Sequence, residues 1–122
     1  MTADELKSRT KLFALRVMNM TDALPNNPKG WVLSKQILRS STSVAAGYRP
    51  ACRARSKADW VDKIGRILEE IDESLVWLEL IQEGKLLAAN KLKDLLSEVD
   101  ELTAIFVAIH KSSKSEILNQ KS

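Results

Sequence analysis

The chain has 122 residues, a formal net charge of +3 and a hydrophobic fraction of 44%, which is the composition of one globular domain with its own core. Four glycines, three prolines and few β-branched runs argue against a β-sandwich or barrel. The single cysteine, Cys52, excludes an internal disulfide, and no apolar run is long enough for an export signal or a membrane span, so we expect a cytoplasmic protein with no membrane partner.

Two helices are predicted in the first half of the chain. Apolar residues at helical spacing predict the first from about Ala3 to Ala23, and a turn rich in Pro and Asn follows. The second is predicted from Trp31 to Tyr48, with a centre of small residues that lets another helix approach closely. Since Pro50 disfavours helical geometry at the residue before it, we expect a kink or connector across residues 49–55.

Two longer helices are predicted in the second half. A capping box at Ser56–Asp59 opens the third helix, which ends near Gly84. The fourth is predicted from Asn90 to Lys111, with a polar, fraying C-terminal tail over 112–122. Short connections favour antiparallel neighbours, so the predicted fold is all-α, an up-down four-helix bundle over residues 1–111.

Charge is distributed unevenly along the chain. Residues 29–66 hold nine Lys or Arg against two Asp, a net of +7, whereas residues 67–90 carry a net of −5. A cationic block can bind a nucleic-acid backbone, and it can equally pair with acidic residues of the same chain or of another subunit. Both alternatives stay open at this point. The candidate phosphate-binding residues are Lys35, Arg39, Arg49, Arg53, Arg55, Lys57, Lys63 and Arg66.

Other side chains indicate structural roles. The acidic row at residues 69–73 lacks the Glu-x-x-His pattern of a bundle metal site, and pairing with Arg39, Lys63 or Arg66 is the better interpretation. His110 suits the end of a helix, and Cys52 has no partner for nucleophilic catalysis. We therefore predict no enzyme activity, no catalytic residue, no metal, no cofactor and no small-molecule substrate.

The aromatic residues divide into two groups. Trp60 and Trp77 fit apolar stripes and are predicted to be buried in the core or in an interface, whereas Trp31 and Tyr48 lie at helix ends and are the more open candidates for stacking on bases. The third helix carries more apolar surface than one bundle face needs, with Trp77 and Leu80 in the surplus. This excess predicts self-association.

Three segments together carry a resemblance to a known family. Residues 36–49 combine Gln-x-x-Arg with the small-residue helix, residues 56–60 cap the long helix, and residues 69–79 are an acidic Glu/Ser/Leu stretch. In this order they resemble the four-helix bundle proteins named for the intervening sequences of 23S ribosomal RNA, over roughly Leu6 to Ile109.

The resemblance implies a homopentameric ring without known catalysis. Accessory proteins of diversity-generating retroelements are similar to this family, and they form a basic pentameric barrel that acts with a reverse transcriptase and nucleic acid. The expected function is therefore a non-catalytic oligomer that binds RNA or DNA. The alternative is an adaptor that docks a protein such as a reverse transcriptase.

Overall fold

The computed structural model describes residues 1–121, with side chains to residue 119. Within that range the chain forms four helices and no strand: α1 at Ala3–Thr21, α2 at Pro28–Ala51, α3 at Lys57–Glu83 and α4 at Ala89–Lys121. The predicted all-α four-helix fold is confirmed. None of the described helices has an apolar stretch able to cross a membrane.

Neighbouring helices run antiparallel. Ser40 of α2 meets Ser74 of α3 at 2.8 Å between their hydroxyl oxygens, and Trp60 near the start of α3 donates to Ser113 near the end of α4 at 2.8 Å. The two serines are fully buried, so the small-residue centre of α2 does allow a close approach to α3. Their hydroxyls are also bonded to carbonyls within their own helices, which leaves neither group unsatisfied.

One continuous core fills the bundle, as the helical periodicities predict. The largest fully buried side chains come from all four helices: Phe13, Val17, Ile37, Val44, Ile64, Ile67, Ile71, Leu78, Ile81, Leu92, Leu102 and Phe106. The seam between α1 and α4 is the least extensive of the helix contacts. Arg9 crosses it, with Nε and Nη2 donating to the two carboxylate oxygens of Glu98 at 3.0 and 2.6 Å.

Helix α2 begins earlier and ends later than predicted. Asn27 caps it by accepting the Gly30 amide at 3.0 Å, and Pro28 occupies the first turn, where no amide donor is needed. The predicted break at Pro50 is wrong, because this proline lies in the last turn and the Cys52 amide still reaches the Tyr48 carbonyl at 3.1 Å. The connector is thus shorter, at residues 52–56.

The ends of α3 follow the prediction in position and differ in detail. Ser56 accepts the Asp59 amide at 3.0 Å, but the Asp59 carboxylate bonds to the Arg55 amide at 3.1 Å, so only half of the capping box forms. At the other end the left-handed residue is Lys85, with a φ of 59°, and not Gly84. Gly84 is needed for space, because a Cβ there would lie 2.7 Å from the Leu80 carbonyl oxygen.

Helix α4 continues past the predicted end at Lys111. Residues 112–121 are helical, and Ser113 is buried beneath Trp60 while Glu116 accepts a hydrogen bond from Lys57. The predicted end of the helix at Lys111 is therefore wrong, and contacts with the start of α3 support the added turns as far as Glu116. Ser122 lies outside the described residues, and the division into a bundle and a separate tail stays a prediction.

Candidate nucleic-acid interface

The outer side of α2 carries cations at helical spacing. Lys35, Arg39 and Arg49 are exposed and, at 100° per residue, lie on one side of the helix. Arg53 follows four residues after Arg49 in the connector, where its amide bonds to the Pro50 carbonyl at 3.0 Å. Helix α2 contains no Asp or Glu at all. Any carboxylate that neutralises these cations must come from another element.

Arg39 is the α2 cation that another helix does neutralise. Its guanidinium donates to Glu73 at 2.7 Å and to Glu70 at 3.3 Å, both on α3. The hydrogen bond to Glu73, followed by the charges of both carboxylates, raises the pKa of Arg39. Burial, and then the neighbouring charge of Glu73, raises the pKa of Glu70. The predicted pairing of the acidic row is thus observed for Arg39.

Two cations in the first half of α3 pair with carboxylates one turn earlier. Lys63 donates to Asp59 at 2.6 Å, and Arg66 lies 3.0 Å from the Asp62 carboxylate. The Lys63 hydrogen bond is the main cause that lowers the pKa of Asp59, and the Arg55 amide contributes next. Within the chain Lys63 and Arg66 therefore pair with aspartates of their own helix, and Arg39 is the member of the predicted set that pairs with the acidic row.

Lys57 is the first residue of α3, as the predicted cap at Ser56 implies. There its ammonium pairs with Glu116 of α4. Half of the eight candidate residues are therefore ion-paired within the chain.

The other half remain without an ion pair among the side chains described up to residue 119. They are all exposed, and together we call them the α2 basic face: Lys35, Arg49, Arg53 and Arg55. Arg55 lies near enough to Asp59 to help lower that carboxyl's pKa, but its guanidinium is not within ion-pair distance. From Lys35 to Arg53 the face is roughly 27 Å long at 1.5 Å per residue.

A shallow groove joins the α2 basic face to α3. Ser43, Gly47 and Pro50 of α2 line one side of it, and Lys63 and Arg66 of α3 line the other. The small side chains on α2 leave this groove open, and Gly47 in particular lies close to Ile67. Lys63 and Arg66 therefore lie next to the α2 basic face. Because both are paired with aspartates, they add no net positive charge to it.

Comparison with known proteins identifies the family. The family model described as "23S rRNA-intervening sequence protein" matches residues 5–108. The chain belongs to this family. The fold and order of elements agree with that assignment.

A solved structure of the family is similar over most of its length. A protein of unknown function from the S23 ribosomal protein family of Bacteroides thetaiotaomicron is 34% identical, with a TM-score of 0.81. The match covers 87% of this chain and 98% of that one. A comparison with curated proteins gives no match.

The four aromatic residues considered for base stacking differ in their exposure. Trp31 is exposed, as predicted. The prediction for Tyr48 is wrong: it is 3% exposed, packs edge-on against Phe106 with ring centroids 5.6 Å apart, and has a raised pKa because of burial. Trp60 and Trp77 are half-buried against the core.

Groups that sequence analysis considered for catalysis are dispersed. His110 lies beside Gly65 on the α3–α4 side, and Cys52 lies next to Tyr48 at the end of α2. Among the described residues no three His, Cys, Asp or Glu side chains are grouped so that they could hold a metal ion. Neither His110 nor Cys52 lies in the α2 basic face.

Two polar contacts escaped the sequence analysis. One is the Arg9 contact with Glu98 and Glu101, in which Nη2 lies 3.0 Å from Glu101; its partners are too far apart in sequence for any spacing rule. The other is the hydrogen bond from Trp31 Nε1 to Asn26 Oδ1 at 2.7 Å. The position of Asn26 in a turn just before a helix-end Trp is a signal that could have indicated it.

Proposed function

We propose that this protein is a non-catalytic homo-oligomer, a pentamer, that binds RNA or DNA through the α2 basic face. The observation that carries the proposal is a set of exposed cations, two on α2, a helix without a single carboxylate, and two on the connector that follows it. Phosphates of a nucleic acid are the partner that such a set attracts, without regard to sequence. A lone cysteine, Cys52, is compatible with action in the reducing cytoplasm.

Arginine dominates the α2 basic face, which favours phosphate recognition. Three of its four members are arginines, and a guanidinium presents paired donors that match the oxygens of one phosphate. Arg49 and Arg53 lie one turn apart, so they can contact successive positions along a backbone. In a ring, each subunit would repeat this face and increase the total attraction.

Exposed apolar side chains support the oligomeric part of the proposal. On α3, Val76 and Leu80 are 48% and 47% exposed, and on α1 Leu12, Leu15 and Met18 are similarly open. Apolar residues repeated along the outer side of a helix are typical of subunit contacts. Neither group overlaps the α2 basic face, so self-association and nucleic-acid binding can occur together.

The test compares two triple variants with the same change in formal charge. The first replaces Arg49, Arg53 and Arg55 with Glu. The control replaces Lys11, Lys93 and Lys111 with Glu, which are exposed lysines on α1 and α4 without an ion pair among the described residues. Binding of labelled RNA and DNA is measured by fluorescence anisotropy across a salt series, and mass in solution by light scattering.

We expect the parent affinity to fall with salt at a log–log slope of about −3, as four cations predict. The Arg49/Arg53/Arg55 variant should lose binding by more than about tenfold at low salt, while the control loses much less. No binding of the parent at low salt, or equal losses in both variants, would contradict the proposal. A monomeric mass would contradict its oligomeric part.

A second function follows from the chemistry of arginine. Arg39 pairs with two carboxylates within the chain, and the arginines of the α2 basic face could bind an acidic protein surface in the same way. The protein would then be an adaptor for a partner such as a reverse transcriptase. Loss of a protein complex in the Arg49/Arg53/Arg55 variant, with no nucleic-acid binding by the parent, would favour this alternative.

A further inference from the structure

Trp31 is a large apolar side chain held in an exposed position. It lies in the first turn of α2 and is 59% exposed. Its Nε1 donates to Asn26 Oδ1 at 2.7 Å, so the one polar atom of the indole is already bonded within the protein. This bond limits rotation of the ring, and a fixed aromatic surface loses little freedom when a ligand stacks on it.

The position of Trp31 connects it to the α2 basic face. Lys35 lies four residues further along, about one helical turn, and the two side chains lie on the same side of α2. Lys35 has no ion pair among the described side chains. The exposed indole thus lies beside a cation at one end of the α2 basic face.

We infer that the α2 basic face binds single-stranded nucleic acid, with a base stacked on Trp31 while an adjoining phosphate contacts Lys35. This inference rests on the proposed function and specifies its ligand. In a duplex the bases are stacked on one another inside the helix, so only a single strand offers a base to an exposed indole. Cations and an aromatic surface on one face are the two components of such sites.

The charge of the α2 basic face also argues against a second copy of α2 as the occupant. A symmetric contact that buried Trp31 would bring two cationic sides of α2 together, and like charges at close range repel. A polyanion is attracted by the same charges. Charge complementarity therefore favours a nucleic-acid strand over a symmetric subunit contact.

The test replaces Trp31 with Ala, using Val32→Ala as the matched control. Val32 is the next residue of the same turn and is exposed to a similar fraction, 58%, so the control shortens an exposed apolar side chain that carries no aromatic ring. The probes are oligo(dT) and oligo(U) of about 20 nucleotides, a DNA duplex of the same length, and inorganic polyphosphate. Circular dichroism and mass in solution establish that each variant keeps its fold and assembly.

We expect Trp31→Ala to weaken binding of the single strands by about 5- to 150-fold, the effect of losing one stacked base, and to change duplex and polyphosphate binding less than about twofold. Val32→Ala should leave all four affinities nearly unchanged. Quenching of tryptophan fluorescence by oligo(dT) should disappear in Trp31→Ala, although Trp60 and Trp77 remain. Trp31→Phe should keep most of the single-strand affinity, and Asn26→Ala should lose a smaller part of it.

Three results would overturn the inference while leaving the proposed function intact. They are equal single-strand binding by Trp31→Ala and the parent, an equal loss for duplex and polyphosphate, and a change of mass in Trp31→Ala, which would make Trp31 a subunit contact. If the parent binds none of the probes at low salt, the proposed function itself fails.

Discussion

The outer side of α2 and the first half of α3 carry similar numbers of cations but differ in what surrounds them. On α3, Lys63 and Arg66 each have an aspartate four residues earlier, and both form ion pairs. On α2 there is no carboxylate to form such a pair. Arg39 finds its partners on α3, while Lys35 and Arg49 find none among the described side chains.

This difference shows that the positions of the acidic residues, more than the number of cations, decide which cations remain unpaired. An aspartate at i−4 neutralises a cation on the same helix without help from the tertiary fold. A helix without acids keeps its cations available unless another helix brings a carboxylate to them. The +7 block is therefore two regions, of which the one on α2 is open to a polyanion.

The largest change in polyanion affinity is expected when carboxylates are added to α2. Thr42→Glu together with Ala46→Glu places two acids on the exposed side between Lys35 and Arg49 without removing any cation. Polyanion affinity should fall by about tenfold or more, because two net charges are lost from the site. Anisotropy titrations with labelled RNA measure the change, and Thr42→Gln with Ala46→Gln is the uncharged control. Equal affinities of the two double variants would contradict the comparison.

Removal of a carboxylate from α3 should raise the affinity for a polyanion, by less than the added carboxylates lower it. Asp62→Asn frees Arg66, which is 75% exposed and lines the groove beside α2. Asp62 is chosen because Asp59 also accepts the Arg55 amide. Affinity should rise by about threefold and the salt slope should steepen by about 0.7 to 0.9. Stability should change by less than about 0.5 kcal/mol, since the pair is exposed. An unchanged slope would show that Arg66 does not reach the ligand.

Partial removal of the carboxylates that pair with Arg39 should raise polyanion affinity by a smaller factor. Glu73→Gln removes the carboxylate that makes the shorter contact, at 2.7 Å, and leaves Glu70 in place. Because Arg39 stays partly neutralised, affinity should rise by no more than about twofold. The same titrations measure it, with Glu79→Gln, an exposed residue of α3, as the control. A gain as large as that of Asp62→Asn would mean that Glu70 contributes little to the pair.

The smallest effect concerns stability and pH. Burial and the charge of Glu73 raise the pKa of Glu70, so the folded state holds this proton more tightly than the unfolded chain does. The ionised carboxylate therefore costs stability above the folded pKa, and the cost disappears as the pH falls through it. Glu70→Gln should raise Tm slightly at about pH 7 and lose that advantage at about pH 4. Thermal melts at both values measure it, and a lower Tm for the variant at neutral pH would contradict the assignment.

Much of the fold could be predicted from the sequence because the core residues follow helical periodicity. Phe13, Ile71 and Phe106 lie on predicted stripes and are fully buried. Helix ends were harder to predict. Pro50 is accommodated because it lies in the last turn of α2, and the final turns of α4 are supported by contacts to Trp60 and Lys57 that no local pattern reveals.

The exposure of the candidate site residues could be predicted from the sequence, but their contacts with residues distant in sequence could not. Exposure of Lys35, Arg49 and Arg53 follows from their spacing on one side of α2. Pairing of Lys57 depends on the continuation of α4, and the bond that holds Trp31 depends on a turn geometry. Tyr48 was placed outside because it precedes a break that does not exist; in the continuing helix its side chain points into the core.

The thin seam between α1 and α4 has a consequence for how the bundle opens. The bidentate ion pair between Arg9 and Glu98 joins α1 to α4, the two neighbouring helices with the least extensive contact. Helices with few neighbours open first in local fluctuations, and their amide hydrogens exchange soonest. We therefore expect the amides of α1 to exchange before those of α2 and α3, although Phe13 and Val17 anchor α1 in the core. The α2 basic face does not include any residue of α1, so we expect it to keep its geometry while α1 opens.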